Sequence, residues 1–166
     1  MGTALATAYD DPALGGVYKL GAIRRPGEPW QPRLKLSEQT AKTTTPGLLG
    51  VRRFARGDGT FLADMIWDVQ RGFTSPLEIV DPGDPFRRRR LPADAASEEL
   101  LVPVLRAGRT VAVFPPLAEV RARAARQLAA LHPAIKRFLN PHVYPVGLEL
   151  GLHEARAHAI QAARGQ

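Results

Sequence analysis

The side chains from which chemistry could be built in this 166-residue sequence are few: four histidines, an adjacent pair of acids near the start, and no cysteine. His153-Glu154 followed by His158 is close to the spacing that places two zinc-binding histidines on one helix face. Here the second histidine comes five residues after the first instead of four, which turns it off that face, so no metal site is expected. His132 and His142 each flank a proline, where a capping or hydrogen-bonding role is the ordinary use. No serine sits in a nucleophile-elbow frame. Asp10 and Asp11 lie in turn-forming sequence, which suits turn formation better than paired acid–base work. The lack of cysteine excludes disulfides, zinc ribbons and thiol catalysis. No catalytic residue is assigned on these grounds.

The elements that would have to position any site are short and turn-rich. Hydrophobic residues make up 45% of the chain, enough for one ordinary domain, while 15 glycines and 15 prolines argue against a helical bundle. Residues 17–23 (VYKLGAI) and 33–36 (RLKL) read as extended. Residues 51–67 read as a hairpin, because Gly57-Asp58-Gly59 separates two strand-like runs. Residues 81–94, punctuated by three prolines, predict an exposed connection, and 100–105 and 110–114 predict short strands. From Leu117 the period changes. Val120, Ala124, Leu128 and Leu131 share a helical face opposite Arg123 and Arg126, with Pro115-Pro116 opening the helix and His132-Pro133 closing it. A short helical turn is expected at AIKRF, and a terminal helix from about Gly147 through Leu148, Leu152, Ala155, Ala159 and Ala163. Strands first and helices last predict an α+β fold, and no repeat is evident.

The net charge of +7 is mostly arginine and includes the tetrad Arg87, Arg88, Arg89 and Arg90. No zinc finger, RNP signature or helix-turn-helix pattern accompanies it, and aromatics are only 7%, so nucleic acid is not the expected partner. There is no basic and apolar leader at the N-terminus and no apolar run long enough to span a bilayer, so a soluble cytoplasmic protein without membrane association is the expectation.

Several ordered motifs carry a family resemblance. GTALATAYDDPALGGVYKLGAI (residues 2–23), PRLKLSEQTAKTTTPG (32–47), the hairpin with Asp64, the PLAEVRARA helix and LNPHVYPVGL (139–148) together resemble the nicotinate phosphoribosyltransferases over essentially the whole chain. In that family these motifs form the last third of a longer enzyme, so the resemblance implies a C-terminal fragment of an α/β-barrel phosphoribosyltransferase whose N-terminal and barrel parts are missing. The organisation then expected is a barrel-edge remnant with a phosphate-binding turn at 1–25, a β-rich segment with a hairpin at 26–75, and a mainly helical C-terminal domain at 76–166.

The family reaction forms nicotinate mononucleotide from nicotinate and phosphoribosyl pyrophosphate in NAD biosynthesis and salvage. It is a glycosyl transfer with ligase-like coupling to ATP hydrolysis through a phosphorylated histidine that belongs to an upstream motif, so none of the histidines here inherits that role. The resemblance implies no covalently bound cofactor, ATP and Mg as co-substrate and ion, and a homodimer. Gly2 and Thr3 match the pair expected to hold phosphate groups of phosphoribosyl pyrophosphate, in keeping with close backbone approach at glycine and hydroxyl donation by threonine. Lys19 and Lys35 match recurrent family lysines and are candidates for a phosphate contact or for an interface salt bridge. The chain alone is expected to be inactive. The alternative is a non-catalytic basic module that binds nucleotide or nucleic acid.

Overall fold

A computed structural model describes residues 18–38, 42–73 and 75–165. Its centre is a hairpin. Strand β3 (Leu49–Ala55) pairs antiparallel with β4 (Phe61–Asp68) around a turn in which Gly59 takes φ +80° and Asp58 accepts the Thr60 amide at 2.8 Å. Two short strands come before it in the chain and pair with each other, β1 (Ala22–Ile23) with β2 (Gln31–Pro32). After it, β5 (Glu78–Val80), β6 (Arg88–Arg90), β7 (Ala96–Glu99) and β10 (Val146–Glu149) join the hairpin in one six-stranded sheet, in the order β6-β5-β10-β4-β3-β7. Only the β10–β4 pair is parallel.

Alternation along β4 divides the side chains between two faces. Ala63, Met65 and Trp67 point to one, where Phe54, Ile79 and Leu91 complete a buried cluster and Phe73 packs edge-on against Trp67. Asp64, Ile66 and Asp68 point to the other. There Val80 and Leu148 lie buried with Leu152 of the terminal helix α2 (Leu150–Arg164), which packs against β5 and β10. β10 can slide between β4 and β5 because it carries Gly147: a Cβ there would stand 2.9 Å from both the Ile79 side chain and the Val80 carbonyl oxygen.

The hairpin and helix α1 (Leu117–Ala130) lie where the sequence predicts them. Elsewhere pairing overrides local pattern. Residues 33–36 form no strand, because the Lys35 amide goes to the Thr44 hydroxyl instead of a ladder partner. The arginine tetrad is no simple connection: β6 takes up three of its members at the sheet edge, where Glu78 draws in Arg88 and Arg90 at 3.4 and 3.7 Å. Charged side chains on an edge strand discourage pairing with a second sheet.

Residues 100–105 and 110–114 shrink to a two-residue ladder, β8 (Leu105–Arg106) with β9 (Arg109–Thr110), around Ala107 and Gly108, both at positive φ. The AIKRF turn is displaced to a 3-10 turn at Pro133–Ile135, where His132 Nδ1 accepts the Ala134 amide. The terminal helix begins three residues later than expected, since Val146, Gly147 and Leu148 are taken by the sheet and Glu149 caps the helix through the Leu152 amide at 2.9 Å. The segment 76–166 therefore mixes six strands with two helices, and a division at 75/76 would cut through one sheet. No helix among the described residues is long and apolar enough to cross a membrane.

Candidate functional site

Two polar clusters are built on this frame. The first lies on the hairpin. Arg53 on β3 and Asp64 on β4 are cross-strand partners, and the guanidinium grips the carboxylate in a fork, Nε to Oδ1 at 2.8 Å and NH2 to Oδ2 at 2.7 Å. Tyr144, in the loop entering β10, donates its hydroxyl to the same Oδ1 at 2.8 Å. Burial, and then the Asp64 carboxylate, push the Tyr144 hydroxyl well above its usual value, while the hydrogen bond to Asp64 raises Arg53. With both carboxylate oxygens occupied, Asp64 is a poor candidate for proton transfer. The cluster instead ties the return loop to the hairpin.

The second cluster surrounds a cavity of about 600 Å³ lined by Lys19, Thr43, Thr44, Thr45, Gly83 and Arg156, among others. It exists because two backbone segments cross at glycines. The Gly21 carbonyl accepts the Arg33 amide at 2.8 Å and the Gly47 amide at 2.9 Å, and a Cβ on Gly21 would stand 2.7 Å from the Gly47 carbonyl oxygen. Gly47 has φ +112°, and a side chain there would strike the Asp68 carboxylate. The threonine run is held by the stretch before it: Thr44 exchanges bonds with the Lys35 backbone, and the Thr43 hydroxyl donates to the Ser37 carbonyl at 3.4 Å.

Arg156 closes the cavity from α2, one turn beyond Leu152 on the same inward face. It is 7% exposed; its NH2 donates to the Thr43 carbonyl at 3.4 Å, and its buried Nε has no partner among the described residues. Burial pulls the guanidinium below its usual value, and among the described residues no carboxylate acts against that pull. The same burial, reinforced by Arg88 and Arg156, lowers His153.

The residues singled out from sequence go to different places. Gly2, Thr3, Asp10 and Asp11 lie outside the described residues. Lys19 is on the cavity wall, with Nζ donating to the Lys42 carbonyl at 3.3 Å. Lys35 is not among the lining residues; its side chain is exposed and only its backbone anchors the threonine run. His158 borders a separate hollow with Asp68, Arg71 and Glu154, and among the described residues no group of three histidines or acids is placed to hold a metal ion. Sequence reasoning missed Arg156. The available signal was an arginine four residues after Leu152 on the predicted inward face of the terminal helix.

Fold and cavity together define a mixed α/β domain, a large sheet with two helices, carrying a cationic pocket. Residues 50–156 match the family model described as the nicotinate phosphoribosyltransferase C-terminal domain, and the chain belongs to that family. Similar proteins include the nicotinate phosphoribosyltransferase of Homo sapiens, 35% identical over 151 residues, which covers 89% of this chain and 27% of the relative. That of Bacillus subtilis is 30% identical over 153 residues, covering 89% and 30%. The crystal structure of human nicotinic acid phosphoribosyltransferase superimposes with a TM-score of 0.60 at 30% identity, over 78% of this chain and 25% of that one. The chain thus spans little more than a quarter of the length of the relatives it matches.

Proposed function

We propose that this chain acts as the C-terminal portion of a nicotinate phosphoribosyltransferase and finishes a barrel-bearing body that carries the remaining groups for catalysis. The reaction is the formation of nicotinate mononucleotide from nicotinate and phosphoribosyl pyrophosphate, with ATP hydrolysis and Mg, in the cytoplasm and in a homodimer. In this reading Gly2 and Thr3 meet phosphate groups of phosphoribosyl pyrophosphate, and Lys19 and Lys35 serve as phosphate or interface cations. The chain by itself does not turn over, because transfer needs base, ribose and diphosphate positioned together.

One observation carries the reading: many large apolar side chains of residues 100–145 lie exposed. Helix α1 has no buried residue, and Val113 and Phe138 are 94% and 99% exposed. Exposed large apolar side chains gathered in one stretch of chain mark an interface. The occupant that fits is the remaining length of the enzyme, since the relatives are more than three times longer than the matched part.

The test pairs the chain with the polypeptide encoded immediately upstream, in frame or adjacent, and assays nicotinate mononucleotide. The pair is expected to form it only with nicotinate, phosphoribosyl pyrophosphate and ATP present, and the chain alone is expected to form none. Product from the chain alone overturns the dependence on a partner body, and no product from the pair overturns the reading. The second reading, a basic binding module, draws on the arginines of the β6 edge, and salt-sensitive binding of nucleic acid by an inactive pair would favour it.

A further inference from the structure

We infer that the ribbon of β8 and β9 is an arm that inserts into a cleft of the upstream body, a cleft apolar on both walls and carrying a carboxylate at its closed end. The inference rests on the proposed role beside that body and says how the two join. Among the described residues β8 and β9 pair only with each other, and every residue from 101 to 111 is exposed. A ribbon of two strands is marginal in water without a surface to cover it. Val111 donates its amide to the Val104 carbonyl at 2.9 Å, which carries this ribbon past its two-residue ladder. By alternation, Val104 and Val111 fall on one face with Arg106 and Arg109, while Leu105 falls on the other. Apolar side chains thus stand open on both sides, with Val104 42% and Leu105 64% exposed. An element that docks flat on a neighbour needs one such face, and an element that enters a cleft needs two.

The tip says what lies at the closed end. Arg106 and Arg109 are direct cross-strand partners, and neither forms an ion pair among the described residues. Like charges set opposite each other weaken a ribbon, and a carboxylate between them turns the repulsion into attraction. The turn is nonetheless a tight one. Ala107 at φ +47° and Gly108 at φ +75° have the positive values that fit the twist of a two-residue hairpin, although Ala107 bears a steric cost that glycine would not. The occupant is the upstream body because the chain covers only 27% of the human relative, and a body of the remaining length can close around an arm on two sides. A second copy of this chain would bring the same arginine pair to a tip-to-tip contact, where it adds repulsion.

Calorimetry of the 166-residue chain with the polypeptide encoded immediately upstream, and thermal unfolding of the chain alone, test this. Replacing residues 104–111 with a Gly-Ser linker should leave the melting temperature of the chain alone unchanged, since the ribbon lies outside the buried cluster, and should weaken binding about a hundredfold. Val104→Asp and Leu105→Asp, one on each face, should each weaken binding about tenfold, because each carries an unpaired charge into an apolar wall. Arg106→Glu and Arg109→Glu should each weaken it about tenfold, and binding of the unmodified chain should fall as salt rises. An effect from only one of the two face variants means that the arm lies on a surface, and overturns the cleft. Tip variants without effect overturn the carboxylate. A linker variant that binds and supports nicotinate mononucleotide formation as well as the unmodified chain overturns this inference and leaves the proposed function standing. An unmodified chain that neither binds the upstream polypeptide nor yields product with it overturns both. Sedimentation of the chain alone covers the other occupant: a dimer that the linker variant abolishes assigns the arm to a second copy and overturns the upstream body as its partner.

Discussion

Helices α1 and α2 are nearly equal in length, at 14 and 15 residues, and both are amphipathic, yet only α2 is built into a core. Leu152 and Arg156 of α2 are buried against β5, β10 and the threonine run. The apolar stripe of α1 borders a shallow hollow beside Arg53, Phe61 and Tyr144, and Leu128, in the middle of that stripe, is still 61% exposed. The contrast teaches that a hydrophobic period declares which face must be covered but is silent on what covers it. For α2 the cover is a sheet within the same chain. For α1 it is, in the function proposed here, a body beyond this stretch of sequence.

Mutations that break the comparison should differ in size. The largest effect belongs to the fork that pins the return loop to the hairpin. Asp64→Ala strands the Arg53 guanidinium and should cost about 3–5 kcal/mol in urea unfolding, and a change under about 1 kcal/mol would mean that the fork is not part of the folded core. A cavity-forming pair comes next. Met65→Ala, in the fully buried cluster, should cost about 2–5 kcal/mol. Leu128→Ala on α1 should stay within about 0.5 kcal/mol in the chain alone. Equal costs at these two sites would show that α1 is packed after all.

The smallest effect is on pH dependence. His153 on α2 is held below 6.5 by burial and by Arg88 and Arg156, so the fold favours the neutral ring. Its contribution to stability is present above about pH 6.5. It is lost as pH falls through the depressed folded value, because the unfolded chain takes up the proton first. His153→Gln should flatten the acid-side decline in melting temperature. An unchanged slope would place His153 in solvent and weaken the picture of α2 as the buried helix.

Much of the hairpin was legible because its signals are local: strand-like runs on either side of Gly57-Asp58-Gly59, with a glycine at the residue that needs positive φ. Helix α1 was legible for the same reason, through period and proline. β10 was not, since residues 146–149 continue the helical pattern of α2 and are drawn into the sheet only by β4 and β5, far earlier in the chain. The cavity was equally hidden. Its threonines looked like an ordinary polar turn, and Arg156 meets Thr43 across 113 residues of sequence. The two lysines that sequence motifs put on an equal footing are separated by the fold, with Lys19 on the cavity wall and Lys35 turned out to solvent.

By itself, then, the sequence determined the turn-rich hairpin, the α1 helix and, through its ordered motifs, the family, because these depend on neighbours along the chain. The tertiary structure alone decided which helix is buried, where the last strand inserts and which cation faces the cavity. Those outcomes depend on pairing and burial between distant segments, and local propensity carries no record of them.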